Sequence, residues 1–266
     1  ALGEYGISVV RDWLAAGIDP KRSVIFKQSD VPEHLELYAI LSMVTPLGWV
    51  ERVPTYKEQL RQVEGRDLAT YGFLGYPVLQ AADILLYKAD EVPVGEDQVP
   101  HLELTREMVR RFHFLYKKKI FPEPKALLTE NPRLSGTDGR KMSKSYGNTI
   151  DLSADSPVLE HAVKNMITDT DRARMKDPGH PEACFACQYW KAFVPEKAEQ
   201  VWEECRTSKR GCVQNKQELA GELLQITEPM RKARGKDGIS DKEVHDVLKE
   251  GASHAQAVAK TTLKEV

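Results

Sequence analysis

Lys141-Met142-Ser143-Lys144-Ser145 separates two parts of this 266-residue chain that differ in their residue patterns. Before this pentapeptide, helical segments alternate with short β-branched segments, an order that is typical of a parallel sheet covered by helices. After it we find helical periodicity only. The sequence therefore predicts an α/β domain over residues 1–150 and an all-helical domain over residues 151–266.

The individual elements follow from periodicity and from helix-start and helix-stop residues. Two short apolar runs, Ser23–Phe26 and Val92–Val94, predict strands. Asp30, followed three residues later by Glu33, resembles a capping box and predicts a helix start. Further helices are expected at about 76–88, from 98 onward, and at 156–167, 183–194, 196–206, 213–233, 240–249 and 252–265. No strand is expected in the segment 121–146, which is rich in Pro, Gly and Lys.

Composition narrows the class of protein. Apolar residues make up 41% and charged residues 29%, so the chain can bury a core and is not a disordered tail. The formal net charge of −2 excludes a strongly basic nucleic-acid binder, although a local basic face remains compatible with it. No apolar stretch approaches the roughly 20 residues that a membrane-spanning helix needs. Four cysteines in this length favour a reducing compartment, and we expect a cytoplasmic protein.

The lysine pentapeptide itself indicates phosphate binding. Its two lysines lie three residues apart beside two serine hydroxyls, and glycines at 136, 139 and 147 allow the loop to move. Phosphoryl and nucleotidyl transfer require positive charge where the leaving phosphates gain negative charge. A solvated surface loop is the alternative for an ordinary Lys-x-x-Lys pair.

A second polar pattern lies in an otherwise apolar helix. Tyr76, Gln80 and Asp83 are spaced by four and three residues and therefore share one helical face. A phenol, an amide and a carboxylate on one face suit a small zwitterionic ligand whose ring carries a hydrogen-bonding group. A hydrated helix edge with Asp83 in a structural ion pair fits the spacing equally well.

These segments together resemble a known family. Lys141 to Ser145 is identical to the KMSKS loop of the class I aminoacyl-tRNA synthetases. The runs Tyr76–Tyr87, Val92–Gln98 and His101–Arg106 resemble the bacterial tryptophanyl-tRNA synthetases, and the likeness extends over most of the chain. The resemblance implies a Rossmann-like catalytic domain that ends in the KMSKS loop, followed by a helical anticodon-binding domain.

The resemblance also assigns roles to residues. Asp83 corresponds to the acceptor of the indole N–H, Tyr76 and Gln98 to groups that hold the amino end of the substrate, and Gln80 to a further pocket position. Gly95 and Asp97 correspond to a turn near the ATP ribose. The whole loop contacts ATP, namely Lys141, Met142, Ser143, Lys144 and Ser145, and the two lysines act on the phosphates as the catalytic pair.

The implied partners are L-tryptophan, Mg-ATP, tRNA(Trp) and a second copy of the chain. In the implied reaction, the tryptophan carboxylate attacks the α-phosphate of ATP, and pyrophosphate leaves beside the lysines. The aminoacyl group then passes to the terminal ribose of the tRNA. We find no spacing typical of a protein nucleophile.

Gln80 departs from the family pattern, since the best-known bacterial tryptophan enzymes carry Met there. Tyr-x-x-x-Gln-x-x-Asp also fits tyrosine-specific relatives, so tyrosine is the first alternative substrate. The Val-Pro-Val-Gly-Glu-Asp-Gln stretch at 92–98 favours tryptophan. The second alternative is a non-catalytic paralogue that binds tRNA or a protein partner.

One family motif is missing. None of the seven histidines begins the ATP-binding His-x-Gly-His pattern that class I synthetases carry in their first βα turn. The resemblance begins well inside the family's chain. We therefore expect that the N-terminal segment has been lost from this sequence and that these residues alone are catalytically inactive.

All four cysteines lie close together in the sequence, as Cys184-x2-Cys187-x17-Cys205-x6-Cys212. Some tryptophanyl-tRNA synthetases carry a [4Fe–4S] cluster on a pattern of Cys, a long gap, and Cys-x6-Cys-x2-Cys. Here Asn215 occupies the last of these positions, and Cys187 is the candidate replacement. The resemblance implies one metal centre, an iron–sulfur cluster or zinc, and the alternative is four unrelated thiols.

Basic residues in the second half form three groups. Solvated faces are the usual role of such runs, and phosphate contact with the tRNA anticodon arm is the role that the resemblance implies. The groups are Arg172, Arg174 and Lys176; Lys209, Arg210 and Lys216; and Arg231, Lys232, Arg234 and Lys236.

Overall fold

The computed structural model describes residues 2–54, 70–128, 134–142, 146–235 and 237–266. The chain divides into two compact units. We call Ala1–Asp19 with Arg133–Val244 the helical unit, and Pro20–Pro132 with His245–Val266 the α/β unit. These units are defined by contacts and do not follow the boundary at residue 150, so the functional division into 1–150 and 151–266 stays a prediction.

The described elements alternate between helix and strand before the lysine loop and are helical after it, as predicted. Two short 3₁₀ turns, Gln28–Asp30 and Glu96–Gln98, lie among them. In chain order the elements are α1 (Leu2–Ala15), α2 (Glu33–Val44), α3 (Leu47–Glu51), α4 (Tyr71–Leu85), β1 (Glu91–Pro93), α5 (Val99–Tyr116), β2 (Lys125–Leu127), α6 (Ser156–Lys164), α7 (Phe185–Phe193), α8 (Pro195–Arg206), α9 (Cys212–Ile226), α10 (Glu228–Arg234) and α11 (Asp241–Glu265).

The two strands form a parallel pair that α5 connects. Val92 lies opposite Ala126, and the Val94 N–H extends the ladder by donating to the Leu127 carbonyl at 3.1 Å. The predicted strand at 92–94 and the parallel α/β arrangement are confirmed. Strand β2 was not expected, because it lies in the segment that sequence alone marks as a loop. The turn at 95–98 follows the carboxyl end of β1, where α/β folds place their ligands.

The predicted strand Ser23–Phe26 is wrong. This segment pairs with no strand among the described residues. Ile25 is buried instead against Gly251 of α11, where an added Cβ would lie 2.0 Å from the Ile25 carbonyl oxygen. Ile25 therefore packs against a helix and not within a sheet.

Helix α2 begins later than predicted. Asp30 closes a 3₁₀ turn, and Pro32 is the residue before the first helical position, with no side-chain cap. Because proline has no N–H and a fixed φ, it starts a helix without help from a capping side chain.

The core of the α/β unit is built by three helices. Leu37 of α2, Ala81 and Leu85 of α4, and Met108 and Phe112 of α5 are all buried in one hydrophobic cluster. Each large apolar side chain buried in this way contributes roughly 1.5–3 kcal/mol. The apolar side of α4 is therefore fixed in the core, which leaves its polar face for other contacts.

The helical unit contains a second cluster around Trp190. The indole of Trp190 is buried and donates to Asn215 Oδ1 at 2.8 Å, while Leu159 and Leu219 pack beside it. The predicted helix 213–233 is two helices, because Pro229 lacks the N–H that would continue the ladder. The two helices predicted at 240–249 and 252–265 are one, α11, in which Gly251 permits close packing and does not interrupt the helix.

In the part of the chain that the structure describes, every helix is too short or too polar to cross a bilayer.

Candidate active site

Helix α4 positions three of the predicted site residues. Thr70 caps it by accepting the Phe73 N–H at 3.3 Å. Tyr76, Gln80 and Asp83 are half-buried along one side, whereas their neighbours on the opposite side are buried in the core. The structure thus brings the phenol, amide and carboxylate to one face, yet their hydrogen bonds divide them into two clusters.

The Asp83 cluster lies at the C-terminal end of this face. Asp83 Oδ1 accepts from His34 Nδ1 at 2.7 Å and from Gln28 Nε2 at 2.7 Å. Asp83 Oδ2 accepts from the same Gln28 nitrogen at 2.8 Å. The Asp83 side chain remains 36% exposed. A carboxylate that is hydrogen-bonded to the protein and still partly exposed can accept one further donor from a ligand.

Aromatic rings enclose His34, which is only 3% exposed. Its ring centre lies 5.9 Å from that of Phe26 and 5.4 Å from that of Tyr87. The second ring nitrogen, Nε2, is 2.8 Å from the Tyr87 hydroxyl. Burial, together with the negative charges of Asp83 and Glu33, raises the pKa of Tyr87 to about 12, so its hydroxyl stays protonated.

The second cluster surrounds His101 on α5, which is fully buried. Its Nδ1 lies 2.8 Å from Gln80 Oε1 and 3.0 Å from Gln98 Oε1, and its Nε2 lies 3.2 Å from the Tyr76 hydroxyl. Because amide oxygens only accept, Nδ1 carries the hydrogen and Nε2 accepts from the phenol. Burial lowers the pKa of His101, with Asp97 opposing the shift, so the neutral form is favoured.

The turn after β1 brings two further predicted residues to the His101 cluster. Gly95 precedes the 3₁₀ turn, and a Cβ at this position would lie 2.7 Å from Asp97 Oδ1. The Asp97 Oδ2 atom in turn accepts from Gln98 Nε2 at 2.9 Å. A larger residue at position 95 would therefore displace the Asp97 carboxylate from its place over the turn.

The lysine loop is described in part. Ser143, Lys144 and Ser145 lie outside the described residues. Lys141 is exposed and forms an antiparallel bridge with Ser135, and Met142 packs on the core of the helical unit.

A buried asparagine anchors the base of the loop. Asn148 Nδ2 donates to Asp138 Oδ1 at 2.7 Å and to the Lys141 carbonyl at 3.1 Å. Asn148, and secondarily Arg140, lower the pKa of Asp138 to about 2. Gly136 leaves room for Asn148, because a Cβ there would lie 2.3 Å from the amide nitrogen. The backbone at Lys141, where the loop begins, is therefore held in place by hydrogen bonds.

The metal centre predicted on the cysteines finds no support. Among the described residues, which include all four thiols, no group of three or more His, Cys, Asp or Glu side chains is arranged to hold a metal ion. Cys187 hydrogen-bonds to Cys184, which lowers the pKa of Cys184 to about 6 and raises that of Cys187. Asn215 Nδ2 lies 3.6 Å from Cys187 Sγ. The Asn215 amide therefore donates to one of the four thiols that the prediction assigned to the metal.

Several of the basic residues, Arg210 and Arg172 among them, are committed to internal bonds. Arg210 is buried and pairs with Glu204 and Glu218. Arg172 donates to the carbonyls of Arg210 and Met175. Both arginines therefore stabilise the helical unit, and Lys236 lies outside the described residues.

Sequence reasoning missed the residues that support the site. Gln28, His34 and Tyr87 surround Asp83, and His101 joins the remaining polar groups. The sequence carries a signal for two of them, because each is a histidine within an apolar helical pattern: His34 precedes Leu37, and His101 precedes Leu102. Spacing within one helix identifies a shared face, but it cannot identify partners from other helices.

Known proteins are similar to this chain in sequence and in structure. Residues 3–227 match the family model described as tRNA synthetases class I (W and Y). A tryptophan–tRNA ligase of Thermotoga maritima is 50% identical over 267 aligned positions that cover 100% of this chain and 81% of that ligase. A tryptophan–tRNA ligase of Ralstonia nicotianae is 39% identical, with 96% of this chain and 81% of that ligase covered. The tryptophanyl-tRNA synthetase from Campylobacter jejuni, solved with ADP and tryptophan, is similar with a TM-score of 0.81 at 32% identity, covering 97% of this chain and 80% of that one.

Proposed function

Since this chain belongs to the class I tRNA synthetases of the tryptophan and tyrosine family, we propose that the clusters around Asp83 and His101 bind the amino acid of its reaction. Its function is that of a tryptophan–tRNA ligase, an ATP-dependent aminoacyl-tRNA ligase.

One observation carries the assignment of the pocket. The Asp83 carboxylate is fixed by His34 and Gln28 while more than a third of its side chain stays exposed. We assign the indole N–H to this carboxylate. An amino acid whose ring lacks a donor at this position would leave the remaining acceptor site of the carboxylate desolvated and without a donor, which gives strong discrimination.

The His101 cluster supplies the opposite end of the pocket. Tyr76 donates its hydroxyl hydrogen to His101, so the phenol oxygen keeps lone pairs for the substrate ammonium group. Gln98 is held by His101 and Asp97, and Gln80 by His101. We assign Tyr76 and Gln98 to the amino end of tryptophan, with Gln80 as a supporting residue.

Two segments are assigned to ATP in this proposal. Gly95 and Asp97, which follow the carboxyl end of β1, are assigned to the ribose. Residues Lys141 to Ser145 are assigned to the phosphates, with Lys141 and Lys144 as the catalytic pair. Mg²⁺ enters with the nucleotide as part of the substrate complex.

The reaction needs no protein nucleophile. An oxygen of the tryptophan carboxylate forms a bond to the α-phosphorus, the bond from that phosphorus to the bridging oxygen breaks, and pyrophosphate leaves with the electron pair. The lysines stabilise the charge that grows on the leaving phosphates. The terminal ribose hydroxyl of the tRNA then attacks the carbonyl carbon, and AMP leaves.

For transfer to tRNA(Trp), we assign residues 151–266 to binding of the anticodon arm and residues 1–150 to catalysis. The exposed basic side chains of α10, Lys232 and Arg234, provide charge for phosphate contacts in this proposal. We further propose a homodimer that works in the cytoplasm, where tRNA is charged. Light scattering of the purified full-length protein measures the first property.

ATP–pyrophosphate exchange in the full-length protein tests the function. L-tryptophan should support exchange, and L-tyrosine at the same concentration should not. Equal exchange with both amino acids would contradict the assignment of the pocket.

Lys144→Ala tests the phosphate role separately. Removing one charge that stabilises the transition state lowers the rate of adenylate formation by about 10²- to 10³-fold. The affinity for tryptophan should change little. Lys249→Ala is the matched control, since Lys249 is exposed on α11. Equal losses in rate and in tryptophan affinity would contradict this role.

A further inference from the structure

His34 is a buried histidine that the reaction itself does not use. We propose that His34, oriented by Tyr87, is a positioning residue that fixes the Asp83 carboxylate in the one orientation that recognises a ring N–H. This inference rests on the proposed role of Asp83 in the tryptophan pocket. The role of Asp83 then depends on His34 and Tyr87, which act through the carboxylate and not on the ligand directly.

The distribution of donors over the carboxylate identifies the free acceptor. Asp83 Oδ1 receives two donors, from His34 and Gln28, whereas Oδ2 receives one, from Gln28. A carboxylate oxygen has two lone pairs. Oδ1 is therefore saturated, and Oδ2 keeps one acceptor site, which we assign to the ring N–H.

The tautomer of His34 follows from its two partners. A carboxylate oxygen only accepts, so the hydrogen must lie on Nδ1, and Nε2 then accepts from the Tyr87 hydroxyl. Tyr87 keeps its proton because burial raises its pKa to about 12. The chain of donors runs in one direction, from Tyr87 through His34 to Asp83.

Packing prevents the imidazole from turning away. Phe26 and Tyr87 lie against its ring, with ring centres 5.9 Å and 5.4 Å from that of His34. Phe26 and Tyr87 also contact each other edge to face, at 5.6 Å. These contacts, together with the hydrogen bonds at both ring nitrogens, hold the ring in one orientation, and the direction of its N–H then determines which oxygen of Asp83 remains for the ligand.

An oriented Asp83 carboxylate should increase the preference for ligands that carry a ring N–H. It should not raise the affinity for all ligands equally. A carboxylate without the His34 restraint can rotate and take water on either oxygen, so its advantage for a correctly placed N–H falls. An analogue with sulfur in place of the ring N–H, β-(3-benzothienyl)alanine, offers no donor. The ratio of the two dissociation constants therefore measures the orientation of Asp83.

The experiment compares L-tryptophan with the benzothienyl analogue by titration calorimetry of the full-length protein. We expect wild type to prefer tryptophan, His34→Leu to reduce that preference about tenfold, and Tyr87→Phe to reduce it about threefold, as expected for the loss of a bond to a charged group and to a neutral group. His34→Asn should retain most of it, because its Nδ2 can replace the donor at Nδ1. The kcat of adenylate formation should change less than the ratio.

His113→Leu is the matched control. His113 is another partly buried histidine of the α/β unit, and its Nε2 accepts the N–H groups of Ile120 and Phe121 at 3.1 Å and 3.2 Å. Its loss should lower stability and leave the ligand preference unchanged. If His34→Leu weakens both ligands equally, its role is structural and the proposal is overturned.

Asp83→Ala separates this proposal from the function it rests on. If Asp83→Ala removes the preference but His34→Leu and Tyr87→Phe do not, the positioning role is wrong and the pocket assignment stands. If Asp83→Ala leaves the preference intact, the assignment of the indole N–H is itself wrong. Should His34→Leu fail to fold, Tyr87→Phe, which removes a single oxygen atom, decides the question.

Discussion

His34 and His101 are two buried histidines of the same compact unit, and they organise opposite ends of one polar helix face. His34 donates to a carboxylate that stays 36% exposed, whereas His101 lies wholly buried among neutral amides and a phenol. The comparison shows how one residue type can serve two purposes. At Asp83 it directs a negative charge toward a single donor, and at His101 it fixes the orientation of several uncharged groups at once.

The largest effect is expected from Asp83→Ala, which removes the charged acceptor. Losing a hydrogen bond to a charged group costs about 1.5–3 kcal/mol, so tryptophan affinity should fall roughly 10- to 100-fold. Steady-state ATP–pyrophosphate exchange gives KM and kcat, and calorimetry gives the dissociation constant. Unchanged use of tryptophan would remove Asp83 from the pocket.

His101→Leu should have a smaller effect of a different kind. It frees the oxygens of Gln80 and Gln98 and the hydroxyl of Tyr76, so the KM for tryptophan should rise about tenfold, from the loss of neutral hydrogen bonds. The preference over the benzothienyl analogue should persist, because the Asp83 cluster is intact. His113→Leu on the same helix provides the control. A lost preference in His101→Leu would mean that the two clusters are not separate.

Gln80→Met changes the position at which this chain departs from the best-known bacterial enzymes. Gln80 Oε1 is satisfied by His101 at 2.8 Å, so the structure assigns it to support rather than to ring recognition. We expect a change in tryptophan KM of about threefold and no gain of tyrosine activity, since one neutral hydrogen bond is lost. Activity with tyrosine in this variant would show that Gln80 contacts the ring.

The smallest expected effect is a dependence of the free energy of unfolding on pH, which we attribute to His101. Burial lowers the pKa of His101 from 6.5, so the folded protein binds its proton less readily than the unfolded chain does. The free energy of unfolding is therefore highest above pH 6.5 and falls as the pH drops through 6.5 toward the lower folded pKa. Chemical denaturation at pH 7.5 and 5.5 measures this slope, which should be shallower in His101→Leu. His113 contributes with the same sign, because burial also lowers its pKa, so the slope should not vanish. An identical slope in the variant would contradict a neutral His101.

Sequence predicted the parts of this molecule that depend on local pattern. Amphipathic periodicity located most helices, and the run before Gly95 gave strand β1. The spacing of Tyr76, Gln80 and Asp83 correctly placed them on one face of α4. Each of these features is decided by residues close together in the chain.

The errors arose where distant residues decide. Ile25 has strand-like neighbours, yet it packs against Gly251, more than two hundred positions away. Strand β2 is short and exposed at its ends, so only its pairing with β1 reveals it. His34 reaches Asp83 from another helix, and no periodicity within α2 indicates that partner. The metal centre expected on the four cysteines finds no support among the described residues, and spacing alone does not give the contact between Asn215 and Cys187.

The most direct test of the account is a crystal structure of the full-length protein with L-tryptophan. We expect the indole nitrogen to lie within hydrogen-bond distance, about 2.7–3.2 Å, of Asp83 Oδ2, with Oδ1 still bound by His34 and Gln28. An indole nitrogen paired with another group, while Asp83 contacts only His34 and Gln28, would contradict it.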